Sequence, residues 1–534
     1  MNRLTARARS ESPTLAEAGL ATLTALLLTL SFPDFDLWPL AWVALVPLVV
    51  AVARRPRAVP SLLSGWLAGT LFFYASCYWL TVPMTRYAGF PAWLAYPLLL
   101  PVTVAAGFFP ALFALGLSRL CARWGAAAVW AAPALWAAAE WARLGAIGQL
   151  WNALGYSQAF VSRLVQPARF GGVYAVGFLV VAVNVTLAYA LLRRGARSLA
   201  VSLAAVALVA AAFVSANVSA PRGEAEEPSV VVVAVQPNVL PDFDRPVSEY
   251  RALSERHFEM SRAAVLSLDA GRGPLSALPR VVVWPESPMN FRYARDSAFR
   301  ERVAAFAREH RAALLFNSLE PAPDEGGFNA AVLVNEEGRL AFQYDKIRLM
   351  PFGEYVPLPR WLPFAEGVRG VVGEFTPGAS YTVMSLGGGE GGVKAGVFIC
   401  LESAYPHITR RFVEGGADVL IEITNDAYQG DTAVLRQHMA NAVFRAAETA
   451  RPVLRVTNTG ITARISPRGE VLEEVEKNRQ AVQAWPVARS DGSRTFYVRH
   501  GDLFAVACAS LSLLTLAATF AGRGRLREPF ARGS

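Results

Sequence analysis

The stretch "KAGVFICLES", Lys394–Ser403, is an apolar run that ends in a cysteine and a carboxylate. Continuous apolar runs of this length are typical of strands that are buried on both faces of a sheet. Cys400 lies at the carboxyl end of this predicted strand, where α/β folds place their functional groups. Three interpretations of the cysteine are open: a packing residue, half of a disulfide, or a nucleophile.

Similar segments lie on both sides of this stretch, over about 226–490. The apolar runs "SVVVVAVQPN", "PRVVVWPES" and "DVLIEITND" predict buried strands, and a helical pattern covers 247–268. The segment "FNAAVLVNEEGRLAFQYDKI" predicts a hairpin that turns at Glu337–Gly338. Continuous apolar strands that alternate with helices predict an α/β domain, whose sheet is mixed and covered on its faces.

The remainder of the chain is much more apolar. The 534 residues are 54% hydrophobic and 17% charged, whereas soluble domains average about 25% charged residues. A membrane-spanning helix needs about 20 mostly apolar residues. The sequence therefore predicts a multi-span helical bundle with about eight spans, near 13–32, 37–53, 61–83, 90–117, 125–144, 168–192, 198–218 and 503–522.

These spans predict four regions along the chain. A transmembrane bundle of about seven helices covers 1–222, a catalytic domain 226–490, a final span 500–524 and a cytoplasmic tail 525–534. Glu17 makes the first span the weakest, and Glu140 should face the bundle interior or a water-filled cavity, because a charge in lipid is costly.

Arginines set the predicted orientation. They cluster in every second connection between spans, and short cytoplasmic loops are the ones enriched in Lys and Arg. Both termini are then cytoplasmic, and the soluble domain lies on the opposite side of the membrane. The net charge of +9 largely reflects these arginines, so we predict no nucleic-acid binding.

The four cysteines are distributed unevenly over these regions. Cys77 and Cys508 lie within predicted spans and Cys121 at a cytoplasmic end, which leaves Cys400 alone in the exported domain. A lone exported cysteine is a free reactive thiol, half of an intermolecular bridge, or a buried structural residue.

Two further residues would give Cys400 a chemical role. Glu286 ends the run "VVVWPE", and Lys346 follows the hairpin. A thiol with a pKa near 8.5 needs a base, which a partly desolvated carboxylate supplies. An ammonium and a backbone N–H can stabilise the resulting oxyanion. Taken singly, Glu286 could cap a helix and Lys346 could be a solvated lysine; His407 and His438 are alternative bases for a Cys-His enzyme.

The segments "VVWPESP", "YDKIRLMPFGEYVP" and "GVFICLES" resemble the three signature segments of the carbon–nitrogen hydrolase (nitrilase) superfamily. Together with the spans, they are similar to its membrane-embedded N-acyltransferase branch. The resemblance implies an αββα sandwich in which Glu286 is the general base, Lys346 stabilises the transition state and Cys400 is the nucleophile.

The resemblance also implies accessory residues. Glu354 and Glu402 match two further acidic positions of the family. Leu401 stands where the family usually has tyrosine, so its backbone N–H remains available for an oxyanion while the hydroxyl is lost. The stretch 356–375 contains Trp361, Leu362 and Phe364 and predicts a membrane-facing lid; an ordinary buried loop is the alternative.

The function implied by the resemblance is transfer of a fatty acyl chain from a phospholipid to the N-terminal α-amine of a diacylated apolipoprotein. It requires no cofactor and no metal, and implies a monomer in the bacterial inner membrane with a periplasmic catalytic domain. Two alternatives remain open at this point: a membrane-anchored amidase or nitrilase that uses water as acceptor, and a non-enzymatic scaffold or transporter.

Overall fold

The structure is a computed structural model that describes residues 12–220, 227–242, 245–271, 273–286, 289–323, 326–357, 374–387 and 392–521. The chain divides into two compact units. A helical unit comprises Met1–Ala220, Asp431–Ala440 and His500–Ser534, and a catalytic unit comprises Pro221–Gly430 and Asn441–Arg499.

The helical unit contains four helical segments that are long and apolar enough to cross a membrane, within the part of the chain that the structure describes: Ala58–Ser76, Ala92–Ile147, Ala168–Leu192 and Ala196–Val218. The second of these comprises the helices Ala92–Trp124 and Ala132–Ile147. Shorter apolar segments cover Leu15–Leu30, Trp38–Arg54 and Leu503–Ala518, and the short helices Thr81–Arg86 and Ser162–Val165 complete the unit. The membrane bundle is thus present, while its count of eight spans stays a prediction.

The two acidic residues of the predicted spans are both held inside the helical unit. Glu17 lies in the first turn of its helix, where it forms a capping box with Thr14 and an ion pair of 2.8 Å with Arg57. Glu140 is buried, and its Oε1 accepts a hydrogen bond of 2.7 Å from the N–H of Leu154. Each carboxylate therefore has at least one polar partner within the helical unit, as expected for an acidic residue in an apolar segment.

One segment assigned to the catalytic domain by sequence belongs to the helical unit. The helix Val434–Thr449 begins there, and its Gln437 is 3% exposed. The Gln437 amide makes hydrogen bonds of 2.9 to 3.5 Å with the indole N–H groups of Trp79 and Trp151, the amide of Asn152 and the carbonyls of Pro33 and Ser76. The predicted domain 226–490 is corrected accordingly, because Asp431–Ala440 packs with the helices.

Replacing Gln437 with leucine should destabilise the helical unit by about 3 kcal/mol or more, because each buried polar group left unpaired costs about 1–3 kcal/mol. Thermal melting of the detergent-solubilised protein measures this loss. Gln149→Leu is the control, since that partly exposed side chain accepts a single hydrogen bond, from the N–H of Trp151. Equal melting temperatures for the two variants would contradict the prediction.

The catalytic unit is built on two six-stranded sheets. The first has the order β12-β1-β2-β3-β4-β5 and the second β11-β10-β9-β8-β7-β6. The strands are β1 (Val230–Gln236), β2 (Arg280–Val283), β3 (Ala312–Pro321), β4 (Gly327–Val334), β5 (Leu340–Asp345), β6 (Val383–Leu386), β7 (Val393–Ile399), β8 (Val419–Thr424), β9 (Val453–Thr457), β10 (Ala463–Ile465), β11 (Val471–Leu472) and β12 (Ala481–Val487).

Both sheets are mixed, as the sequence predicts. β1, β2 and β3 are parallel, β4 and β5 form the expected antiparallel hairpin, and β7, β8 and β9 are parallel. The helices Val247–Ala270 and Ser297–His310 cover the first sheet, and Pro406–Glu414 lies on β7. The sheets meet through side chains such as Thr457, whose hydroxyl donates to Gln236 at 3.2 Å. The helix Phe496–His500 follows β12.

A buried histidine in the core of the first sheet makes the unit acid-sensitive. His257 is fully buried against Trp284 and Phe291, and its Nδ1 lies 2.7 Å from the carbonyl of Leu253. Burial lowers the pKa of His257 from 6.5 to about 4. Between these values the unfolded chain binds a proton that the folded chain does not, so stability falls as the pH falls.

The variant His257→Leu should therefore lose less stability in acid than the wild type. The free energy of unfolding of the variant minus that of the wild type should rise by about 3 kcal/mol between pH 7 and pH 4, at about 1.4 kcal/mol per pH unit over the depressed range. Melting temperatures of both proteins over this range give the measurement. A difference that does not depend on pH would show that His257 does not carry this proton.

Candidate active site

Cys400 sits at the turn from β7 into a short 3₁₀ helix, Cys400–Ala404. Its backbone has φ of 54°, a left-handed conformation that is uncommon for a residue with a side chain. Strained residues of this kind cluster at functional sites, where the surrounding structure over-determines them. The cysteine is partly exposed, and Thr424, at the end of the neighbouring strand β8, hydrogen-bonds its thiol.

Glu286 lies three residues beyond β2, close to the carboxyl end of this parallel strand. Its Oε1 accepts hydrogen bonds from Lys346 at 3.2 Å and from the amide of Asn329 at 2.9 Å. Its Oε2 accepts from the N–H of Asn425, which follows β8, at 3.2 Å. The ends of β2 and β8, one from each sheet, therefore meet at this carboxylate.

Lys346 is 1% exposed and lies between two carboxylates. Its Nζ is 3.2 Å from Glu286 and 2.9 Å from Oε1 of Glu354. The second oxygen of Glu354 accepts from the N–H of Met350 at 2.6 Å. Because an unpaired buried charge is costly, this arrangement requires both acidic partners.

Sequence reasoning missed Asn329, which lies on β4. Its side-chain amide donates to Glu286 at 2.9 Å and to Glu354 at 2.5 Å, and its Oδ1 accepts from Asn317 at 2.6 Å. Asn329 thus bridges the two carboxylates that flank Lys346. The available signal was a polar residue in "FNAAVLV", an otherwise apolar strand.

The pKa shifts of Cys400 and Lys346 indicate the protonation state of each group at the site. Desolvation and then the charge of Glu286 raise the pKa of the Cys400 thiol well above its usual range, although the Lys346 ammonium opposes them. Burial alone would lower the pKa of Lys346, but Glu286 and Glu354 outweigh it and raise that pKa well above its usual range. The resting thiol is therefore protonated and the lysine is a fixed cation, so Glu286 is the candidate base.

Glu402 joins the cysteine turn to the segment that carries Lys346. Its buried carboxylate accepts hydrogen bonds from the Tyr344 hydroxyl at 2.9 Å and from the N–H of Ile347 at 2.7 Å. It also accepts from the N–H of Ile399 at 2.8 Å. Desolvation raises the pKa of Glu402 to about 7, against these donors. Glu402 is therefore a positioning residue. It connects Tyr344 and Ile347, which lie on either side of Lys346 in the chain, to the turn that bears Cys400.

Leu401 occupies the second position of the short 3₁₀ helix. The first N–H groups of any helix lack partners inside it. The N–H of Leu401 is therefore a candidate oxyanion donor. The leucine side chain, which replaces the family's tyrosine, takes no part in this hydrogen bond.

The two histidines considered as bases lie in different units. His438 belongs to the helical unit, where its ring is 5.6 Å from that of Trp151. His407 is in the catalytic unit, where burial and the charge of Arg348 lower its pKa to about 4. Glu286, whose carboxylate lies 3.2 Å from Lys346, therefore remains the candidate base.

A second buried ion cluster, also missed from the sequence, supports the site from β8 and β9. The guanidinium of Arg455 is 2.6 Å from Glu422 and 2.6 Å from Asp426. The negative charge of Asp426 further raises the pKa of the Cys400 thiol.

The sequence also led to expectations about a metal site, a lid and a tail. Among the described residues, no group of three or more His, Cys, Asp or Glu side chains could hold a metal ion. Trp361, Leu362 and Phe364 of the predicted lid lie outside the described residues, and so does the predicted tail 525–534.

Comparison with known proteins matches both units. Residues 24–186 match the family "Apolipoprotein N-acyltransferase N-terminal domain", and residues 274–492 match "Carbon-nitrogen hydrolase". The chain is 32% identical to the apolipoprotein N-acyltransferase of Geobacter metallireducens, over 94% of this chain and 95% of that protein. It is 31% identical to that of Allorhizobium ampelinum, over 78% of each chain, and 28% identical to that of Thermotoga maritima, over 91% of this chain and 90% of that one.

Proposed function

This chain belongs to the apolipoprotein N-acyltransferase family, and we propose that it transfers an acyl chain from a phospholipid to the N-terminal α-amine of a diacylglyceryl-cysteine lipoprotein through a thioester on Cys400. The observation that supports this proposal most is the site in the catalytic unit. There the carboxylate that follows β2 and the fixed ammonium that follows β5 act on the thiol of Cys400, which follows β7 of the other sheet.

In the first half-reaction, Sγ of Cys400 attacks the carbonyl carbon of a phospholipid ester while Glu286 takes the thiol proton. The tetrahedral oxyanion forms near the Lys346 ammonium and the N–H of Leu401, which stabilise its charge. The ester C–O bond then breaks, and Glu286 returns the proton to the leaving glycerol oxygen. A lysophospholipid departs and an acyl thioester remains on the enzyme.

In the second half-reaction, the α-amine of the lipoprotein attacks the thioester carbonyl, and Glu286 accepts a proton from the amine nitrogen. Collapse of the intermediate breaks the C–S bond and forms the amide. Glu286 then returns the proton to the sulfur of Cys400, which regenerates the thiol. Because Lys346 remains protonated, it contributes charge without exchanging a proton in either half.

The proposed localisation follows the same family assignment. We place the catalytic unit on the periplasmic side of the bacterial inner membrane, with the predicted spans as its anchor and a monomer as the functional form. Both substrates carry long acyl chains, so an enzyme that stays in the bilayer meets them there.

Mass spectrometry of the purified protein tests the mechanism. Incubation with a phospholipid should add one acyl chain to Cys400, and a diacylglyceryl-cysteine peptide should then remove it as an N-acylated product. The variant Glu286→Gln should show no adduct, because the protonated thiol lacks its base.

The acceptor distinguishes this function from the hydrolase alternative. Release of free fatty acid without acylated peptide would indicate an amidase-type or nitrilase-type enzyme that uses water. Absence of the adduct from the wild type under all donor conditions would contradict the thioester mechanism.

A further inference from the structure

The catalytic unit also contains a polar cavity of about 500 Å³, which is lined by none of the three candidate catalytic residues. We propose that this cavity binds the phosphodiester group of the acyl-donor phospholipid, with Arg292 and Arg295 contacting its oxygens. The proposal rests on the proposed function, since it specifies how the donor of that reaction is held. The cavity is lined by Pro241, Asp242, Arg245, Tyr250, Met289, Asn290, Arg292, Arg295, Asp296 and Tyr428.

The three segments that line the cavity each lead to Glu286 or to a residue that contacts it. Met289 follows Glu286 by three residues, and Tyr428 follows Asn425, whose N–H donates to Glu286, by the same number. Pro241 and Asp242 follow Val239, whose N–H and carbonyl bind the side chain of Asn458, and that side chain donates to Oδ1 of Asn425 at 3.0 Å. Each segment is therefore tied to the general base or to Asn425.

The arginines are held on a rigid turn. Phe291 and Tyr293 are buried on either side of Arg292, and the N–H of Tyr293 donates to Ser318 at 2.9 Å. The N–H of Arg295 donates to the carbonyl of Arg292 at 3.1 Å, which closes the turn. Both arginine side chains therefore extend from one turn, whose backbone is fixed by hydrogen bonds and by its buried neighbours.

Both arginines are exposed, and their charges are open to a ligand. Among the described residues, no ion pair involves Arg292 or Arg295, whereas Arg245 pairs with Glu249 at 3.0 Å and donates to the carbonyl of Leu240. Arg245 therefore already has hydrogen-bond partners within the unit. A planar guanidinium offers paired N–H donors that match phosphate oxygens, which makes free arginines in a cavity a phosphate-binding feature.

The acidic residues of the cavity favour a diester over a monoester. Three arginines and two aspartates line the cavity, and because Arg245 is paired with Glu249, the remaining charged groups are Arg292, Arg295, Asp242 and Asp296. Asp296 is also engaged, because it caps the helix Ser297–His310 by accepting from the N–H of Phe299 at 2.9 Å. A phosphodiester brings one negative charge to the two arginines, while the second charge of a monoester would add to the repulsion from the two aspartates.

The double variant Arg292→Gln/Arg295→Gln tests the proposal with two acyl donors. One is dipalmitoyl phosphatidylethanolamine in detergent micelles, and the other is p-nitrophenyl palmitate, which has no phosphate. The ratio of kcat/KM for the phospholipid to that for the nitrophenyl ester should fall about tenfold or more, as expected for loss of charged hydrogen bonds. Arg308→Gln/Arg489→Gln, which changes two exposed arginines that neither line the cavity nor adjoin a lining residue, should keep the wild-type ratio.

A binding measurement separates this proposal from the proposed function. Calorimetric titration of the full-length protein with sn-glycero-3-phosphoethanolamine should give binding that the double variant weakens about tenfold, whether or not any donor acylates the enzyme. Equal losses with both donors, an unchanged ratio, or no difference in binding would overturn the proposal. Equal binding of inorganic phosphate would also overturn it, because the site would then be one for free phosphate.

Discussion

Replacing Cys400 with alanine should reduce acyl transfer by at least about 10⁴-fold, since removal of a catalytic nucleophile leaves only the contribution of binding and oxyanion stabilisation. Glu286 and Lys346 remain in place in this variant, yet no thioester can form. The assay follows the conversion of a fluorescent diacylglyceryl-cysteine peptide with phospholipid as donor. The acyl adduct seen by mass spectrometry should disappear at the same time.

The variant should remain folded. Alanine and cysteine have similar difficulty in adopting the φ of 54° that this position requires. The carboxylate of Glu402 still accepts the hydrogen bond from the N–H of Ile399 that fixes the turn. Cys508→Ala is the matched control, because this cysteine lies in the helix Leu503–Ala518 of the helical unit and should tolerate the change. More than a tenth of wild-type activity in Cys400→Ala would show that transfer bypasses the thioester.

The sequence could single out the three candidate catalytic residues because each of them follows a strand end. Glu286 and Cys400 come directly after apolar runs, and Lys346 follows a hairpin whose pattern is clear. The signature segments then gave each residue a role, and the structure brings Glu286 and Lys346 into contact. Local pattern was sufficient here, since each residue lies beside the element that positions it.

The supporting residues could not be predicted in the same way. Asn329 lies within a strand, and its function depends on which neighbours its amide reaches across the sheet, here Glu286 and Glu354. Tyr344 reads as an ordinary strand aromatic, although its hydroxyl binds Glu402, 58 residues away. Such long-range polar contacts leave no periodic signal in the sequence.

The boundary between the units was wrong for a related reason. The sequence of the helix Val434–Thr449 has the pattern of an amphipathic helix of a soluble domain, and its composition predicts that it belongs to the catalytic domain. The carbonyl that Gln437 binds at Ser76 is 361 residues away. Composition averages over a whole segment, so one buried glutamine with tertiary partners does not alter the prediction.

The second large effect is expected for Lys346→Met, which should destabilise the catalytic unit by about 3–5 kcal/mol and abolish transfer. Lys346 is 1% exposed and forms ion pairs with both Glu286 and Glu354. Removing one partner of a buried ion pair leaves uncompensated charge, which accounts for this cost. Methionine has a similar length without the charge, so packing changes contribute little. Chemical denaturation of the purified protein measures the loss.

Adding Glu354→Gln to Lys346→Met separates structure from catalysis. The double variant should recover about 1–3 kcal/mol, because removing one carboxylate leaves Glu286 as the remaining buried negative charge beside Asn329. Activity should stay lost, since the oxyanion still lacks its ammonium. Recovery of activity together with stability would mean that Lys346 serves the fold alone, and that the charge stabilising the oxyanion comes from another group. A stability loss without recovery would instead contradict the explanation that the Glu354 carboxylate, paired with the lysine at 2.9 Å in the wild type, causes the loss once the lysine is removed.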